Sequence, residues 1–376
     1  MRNHLLILLA FGLALSSCSS GLHGIFDKKT PHEQYADKLD DKGLEKTPAG
    51  QAWLAASKAA LDQPVTVKLP YQQQGYFPSD KSRALGLLFS AHRGERLTFT
   101  LEKNTGERLP LYADLFQQTA SAPNQLHAAD TAESAFSVDI EETGNYILRL
   151  QPQLYDGGRY QLSVSVGPSL GYPVSGNKTR AGSFWGDDRD GGKRLHEGVD
   201  LFAPKRTPVI AAADGYVTGV REGGLGGKVV WLRPAGKNYT LYYAHLDEQS
   251  VQEGQEVKKG DVLGLVGNTG NAQNTPSHLH FGIYTNAGAV NPYPFIDPAV
   301  KTAAPAPRKD LTATLRVTAT RKNTGTDALK ANTLLVPLAV STQGYIAELP
   351  GGGLILAPIT AVQPVKNAAT SKDKPA

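Results

Sequence analysis

Four of the chain's nine histidines, His196, His245, His278 and His280, fall between residues 171 and 300. Two of them stand one residue apart in SHLHFGIY, an apolar run that reads as a strand. In a strand, residues i and i+2 share a face about 6.6 Å apart, so both imidazoles can converge on one small site. RLHEGVDLFAP contributes His196 and, four residues on, Asp200; YYAHLDE contributes His245. A straight strand would put His196 and Asp200 about 13 Å apart, too far to share one ion comfortably. Gly198 and Pro204 argue against a helix there, whereas a bend at Gly198 brings the pair together. Two histidines and a carboxylate, with one position left for water, is the arrangement of a catalytic zinc site. A neutral imidazole beside such a site can move protons. Cys18 is the single cysteine, which excludes an internal disulfide and a closed thiolate cluster. His4, His23, His32, His92 and His127 carry no such context and read as ordinary core or surface histidines.

H-E-G-V-D, Y-Y-A-H-L and H-L-H-F occur in this order, flanked by LFAPKRTPVIAAADGYVTGV, SVQEGQEVKKGDVLGLVGNTG and VNPYPFI. Over about residues 171–298 this pattern resembles the lysostaphin/LytM-type zinc peptidoglycan endopeptidases. The resemblance implies a Zn2+ cofactor held by His196, Asp200 and His280, with His245 and His278 as the catalytic pair and His278 favoured as the base. It implies peptidoglycan as the partner and hydrolysis of its peptide cross-links as the reaction. The alternative is a non-catalytic cell-wall-binding lipoprotein or amidase activator that keeps the peptidase fold. Two features depart from the family pattern. Gly282 follows HLHF where a glutamate is usual, and GDDRDGGKR stands where lysostaphin-like members place a tyrosine. Asp187, Asp188 and Asp190 in that stretch read as an exposed acidic turn rather than as groove lining.

A chain of 376 residues is too long for one core and is expected to form several domains. The expected fold class is mainly β: an N-terminal antiparallel β-sandwich, a central antiparallel peptidase sheet and a small C-terminal β-barrel of Src-homology-3-like type. MRNHLLILLAFGLALSSC has Arg2, an apolar run from Leu5 to Leu15 and then small residues. The run is far short of the roughly 20 residues that span a bilayer, so it reads as a signal peptide over 1–17. Leu15-Ser16-Ser17-Cys18 resembles a lipobox, with Cys18 as the lipidated residue and the cell envelope as the address. In a Gram-negative host, Ser19 after the cysteine resembles sorting to the outer membrane.

Residues 18–64 read as a polar tether followed by one helix, Pro48–Leu61, with Thr47 as its cap. Alternating runs over 65–168 predict the sandwich, jelly-roll-like in its GNYILRLQP and RYQLSVSV ending. The peptidase region spans 171–298, a linker 299–310, the barrel 311–365 and a disordered tail 366–376. The net charge of +4 is uneven: residues 301–376 hold ten basic and four acidic side chains, a segment the solvated reading of such tails covers. No nucleic-acid partner is expected; the membrane contact expected is the N-terminal lipid anchor.

Overall fold

The computed structural model describes residues 29–104, 109–176, 178–189, 191–320 and 329–365. Cys18, the signal segment and Asp190 lie outside the described residues. The first element corrects the tether reading. Thr30 caps a helix over Pro31–Asp41, its side chain accepting from the Glu33 amide while Glu33 reaches back to the Thr30 amide. That reciprocal pair, with proline at the first helical position, is enough to start a helix in a polar segment. The helix buries His32 and Leu39. His32 stacks on Trp53 at 4.7 Å and bonds Gln151 at 2.7 Å, and burial lowers its pKa to about 4, so it sits there neutral. Trp53 belongs to the second helix, Pro48–Asp62, which Thr47 caps as expected. Both helices are thus fastened to the sandwich rather than trailing from it.

The sandwich has two antiparallel layers around one core. Leu85–Ala91, Gly144–Pro152, Leu111–Gln117 and Asn124–Ala129 run side by side in one. Tyr71–Phe77, Gly158–Pro168, Glu95–Lys103 and Ala135–Asp139 do so in the other. Tyr71–Phe77 shows the burial alternation that the sequence pattern predicts, with every second residue inside.

The C-terminal region differs from the independent barrel expected over 311–365. Leu334–Ser341 pairs directly with Tyr71–Phe77 (Gln73 opposite Ser341, Gly75 opposite Ala339), so the last strands continue the second sandwich layer. Ala339 and Ile346 pack into the sandwich core, while Leu315, Val317, Leu335 and Ala357 form a small core of their own. Among the described residues Leu354–Ala357 and Val362–Pro364 do not pair, so no barrel closes. The physical reason is an edge: without Leu334–Ser341, Tyr71–Phe77 would present unpaired amides and carbonyls. The segment expected as a free linker is laid along the sandwich too, with Lys301 bridged to Val166 and the Ala306 amide on Gln72.

The peptidase region is one antiparallel sheet in the order Arg180–Ser183, Val199–Phe202, His278–Thr285, Tyr239–Gln249, Gly227–Pro234, Gly215–Gly223. Its only described α-helix is the short Tyr293–Ile296. Val199, Leu201, Leu241, Tyr243, Leu279, Phe281 and Ile283 face the core on one side of the sheet, all fully buried. The sandwich docks away from the opposite face. Lys237 bonds Asp139 at 2.9 Å and Glu141 at 2.6 Å, and Phe295 packs on Gly94, where an added Cβ would stand 2.4 Å from its ring.

Deleting residues 306–376 is expected to lower the melting temperature of the sandwich and promote association, because it bares the Tyr71–Phe77 edge and removes Ala339 and Ile346 from the core. Calorimetry and light scattering check this; an unchanged sandwich transition with a monomeric product would contradict the shared-sheet account.

Candidate metal centre and catalytic groove

Strand pairing assembles the site. Val199–Phe202 runs antiparallel to His278–Thr285 with Asp200 directly opposite His280 and Phe202 opposite His278. Directly opposed residues in an antiparallel pair have Cβ atoms about 4.5–5.5 Å apart. Leu279 and Phe281 enter the core, so His278, His280 and Gly282 all point to the other face. His196 arrives from the residue after the two-residue strand Arg194–Leu195. The chain then turns at Glu197-Gly198 before Val199 begins the next strand. Gly198 is where that turn passes the His280 ring: a Cβ there would lie 2.5 Å from His280 Cε1 and 2.7 Å from the Phe281 carbonyl oxygen. Only a residue without a side chain lets the turn and the imidazole occupy this space.

The result is a triad of ligand atoms. His196 Nε2 lies 2.9 Å from His280 Nδ1, and each lies 3.0 Å from Asp200 Oδ1. The Nδ1–H of His196 donates to the Phe184 carbonyl at 2.9 Å, which leaves Nε2 as a bare lone pair. That lone pair faces a carboxylate, which when ionised only accepts. Two acceptors held 3.0 Å apart and buried, His196 at 2% exposure and Asp200 at 7%, are stable only with a cation between them or with an added proton. Two imidazole nitrogens and one carboxylate oxygen, with no thiolate, form a donor set suited to zinc. Burial pushes Asp200 upward, but the adjacent His196 and His280 rings, when they carry the shared proton, outweigh it and hold the carboxyl far below the usual carboxylate range. Burial lowers His280, with Asp200 opposing. Both shifts favour the deprotonated forms that bind a metal.

The other two histidines flank the triad. His278 donates its Nδ1–H to the Pro276 carbonyl at 2.8 Å, and its Nε2 lies 3.9 Å from Asp200 Oδ1. His245 donates its Nδ1–H to the Thr269 carbonyl at 2.8 Å, and its ring lies 5.0 Å from that of His278. Both therefore present an Nε2 lone pair. Burial, reinforced by the neighbouring imidazoles of His278 and His280, lowers His245 to about 4.

His245 reaches the groove by breaking its strand's alternation. Leu241 and Tyr243 face the core, and the next core residue is Leu246 rather than 245. A bulge inserts one residue opposite the Lys228–Val230 stretch, and His245 takes a left-handed φ of 64°. The phase shift turns its side chain out of the core.

These side chains floor a groove of about 650 Å³. Every lining residue comes from 189–284, so the sandwich does not contribute to it. Trp231, Tyr242 and Tyr284 form one wall, with Trp231 and Tyr242 4.3 Å apart. Asp187 and Asp188 do not line the groove. Asp187 instead accepts from the Phe184 amide and the Ser183 hydroxyl, a turn-forming role. Sequence reasoning missed Arg189, whose Nη2 donates to Asp200 Oδ2 at 3.0 Å. It also missed the three carbonyls that orient the histidines. Arg189 was visible only as one more charge in GDDRDGG.

Residues 194–292 match Peptidase family M23. His196, Asp200, His245, His278 and His280 all lie within the matched residues. The chain is 46% identical over 100 residues to an uncharacterized metalloprotease of Haemophilus influenzae, covering 26% of this chain and 20% of that one. It is 39% identical over 148 residues to the DD-carboxypeptidase/endopeptidase Mpg of Neisseria meningitidis serogroup B, covering 39% and 31%. Against the L-Ala--D-Glu endopeptidase of Bacillus subtilis the figures are 36% over 126 residues, 30% and 38%. The chain thus spans well under half the length of these curated relatives. Among solved structures, the lysostaphin catalytic domain of Staphylococcus simulans aligns at 31% identity and a TM-score of 0.29, covering 31% of this chain and 92% of that one.

Gly198→Ala is expected to leave the fold intact but push the His280 ring off the triad. A misplacement of this kind costs on the order of 10²-fold in rate. Zinc content by atomic absorption, read beside an unchanged circular dichroism spectrum, checks it; wild-type zinc content and turnover would show that the ring yields without cost.

Proposed function

We propose that this protein is a zinc-dependent endopeptidase that hydrolyses peptide cross-links of bacterial peptidoglycan. The observation that carries the reading is the convergence of His196, Asp200 and His280, whose ligand atoms lie within 4.8 Å of one another, at the floor of an open groove. The M23 match and the relatives named as a DD-carboxypeptidase/endopeptidase and an L-Ala--D-Glu endopeptidase support it. His196 Nε2, Asp200 Oδ1 and His280 Nδ1 would hold the metal. Bound there, zinc would supply a water whose pKa is lowered toward about 7 and would polarise a carbonyl.

The protein's own groups handle the protons. His278 Nε2, the nearer of the two flanking lone pairs to Asp200, takes a proton from the attacking water and returns it to the leaving amide nitrogen. Its Nδ1–H is committed to Pro276, which fixes both tautomer and ring plane. His245, neutral and with Nδ1–H committed to Thr269, can only accept through Nε2. That suits it to orient the water's other hydrogen rather than to donate to a developing oxyanion. The groove's wall of Trp231, Tyr242 and Tyr284 suits contact with a peptide.

The location is part of the same reading. Arg2, the Leu5–Leu15 run and the Leu15–Cys18 segment support a signal peptide and a lipid on Cys18. A lipid there would hold the enzyme to a membrane of the cell envelope, facing the periplasm from the outer membrane in a Gram-negative host. No described helix is long and apolar enough to cross a membrane.

Purified protein is expected to release soluble muropeptides from sacculi, to stop on addition of chelator and to recover with zinc. His196→Ala and Asp200→Ala should lower zinc content. His278→Ala and His245→Ala should retain zinc but lose about 10²–10⁴-fold in turnover. Stoichiometric zinc in both ligand variants, or chelator-insensitive release, would overturn the assignment. Separately, Cys18→Ser is expected to shift the protein from the membrane to the soluble fraction; equal membrane retention of wild type and variant would remove the lipid anchor from the account.

A further inference from the structure

One turn, residues 183–189, supports two of the three ligands from behind. Phe184 supplies the carbonyl that accepts the His196 Nδ1–H. Arg189 supplies the guanidinium that donates through Nη2 to Asp200 Oδ2 at 3.0 Å and to Ser183 Oγ at 2.6 Å. Ser183 stands directly opposite Asp200 in the strand register, and its hydroxyl donates a hydrogen bond to Asp187 Oδ2 at 2.9 Å. Asp187 Oδ2 also accepts from the Phe184 amide at 2.8 Å, which closes the circuit. Pairing of Asp188–Arg189 with Arg194–Leu195 sets Arg189 opposite Arg194 and Asp187 beside His196, whose amide donates to the Asp187 carbonyl at 2.8 Å.

The two oxygens of Asp200 therefore have different tasks. Oδ1 faces His196 and His280, and Oδ2 faces Arg189. A carboxylate with both oxygens unengaged can bind a metal through both and fill a coordination position. A charge-assisted hydrogen bond on one oxygen opposes that. Outer partners of this kind orient metal ligands and tune the site. We propose that Arg189 is a positioning residue that restricts Asp200 to a single ligating oxygen and so keeps coordination positions open for water and the scissile carbonyl. The proposal rests on the zinc reading above.

The test is made on the whole protein with the metals alone. Zinc affinity is measured by competition with a chromogenic chelator, and coordination number by the visible absorption of the cobalt-substituted protein. Arg189→Gln is expected to weaken zinc binding by about 10–100-fold. Its cobalt band should lose intensity, as a four-coordinate ion becomes five-coordinate. Arg189→Lys keeps the charge but reaches fewer acceptors and should recover part of both. Ser183→Ala leaves the Arg189–Asp200 pair and should keep the wild-type cobalt band, which preserves a reading if Arg189→Gln does not fold. Wild-type affinity and an unchanged band in Arg189→Gln would overturn the proposal. So would an equal loss of affinity in the Gln and Lys variants with the band unchanged, which marks a purely structural role. A wild-type protein that takes up no zinc would instead sink the metal reading, and this role with it.

Discussion

The register between Val199–Phe202 and His278–Thr285 is the constraint on which the rest depends. Slipping it by one residue would move Asp200 away from His280 and, because strand side chains alternate, would turn a whole row from core to groove. Val199, Leu201, Leu279 and Phe281 lie on the buried side of this pair, each with essentially no exposure. Burying a side chain of that size stabilises by roughly 1.5–3 kcal/mol. The same apolar contacts that hold the sheet together therefore set the spacing of the ligands. For Asp200 and His280, the core sets the spacing as it packs.

A second layer of control comes from backbone carbonyls. Phe184, Pro276 and Thr269 each accept a proton from one histidine, and each leaves the opposite nitrogen bare toward the groove. Carbonyls cannot donate, so the tautomer follows from geometry alone. Thr269 is itself pinned, its hydroxyl donating to the Leu246 carbonyl and accepting from the Lys228 amide. The bulged strand that carries His245 and the loop that orients it are thereby tied to one another. The proton- and cation-binding nitrogens of the groove are thus oriented by groups that have no such chemistry themselves.

Much of this site was legible in the sequence because it rests on side chains with distinctive types at period-two spacing. His278 and His280 share a face for that reason, and Gly198 marked the bend that lets His196 meet Asp200. The orienting carbonyls were not legible, since any residue type can supply one. Arg189 was hidden because its partner lies 11 residues away across a hairpin, and a charge in a polar turn carries no signature of its target. The alternation over 65–168 gave the sandwich, but not the strand that arrives from Leu334–Ser341 to complete it. Pairing between segments more than 250 residues apart leaves no local mark. The helix at Pro31–Asp41 was overlooked although its capping pair, Thr30 and Glu33, stood in the sequence; a predominantly charged surface masked its single buried edge.

The left-handed backbone at His245 has a consequence of its own. Holding a non-glycine residue there costs on the order of 1 kcal/mol or more, an expense that glycine would escape and asparagine would lessen. Position 245 is thus a place where the fold and the chemistry want different amino acids. A copy of this domain released from the need to turn over substrate would keep the backbone strain at this position without the chemistry that offsets it. The imidazole at this position reads as a record of selection for work rather than for endurance.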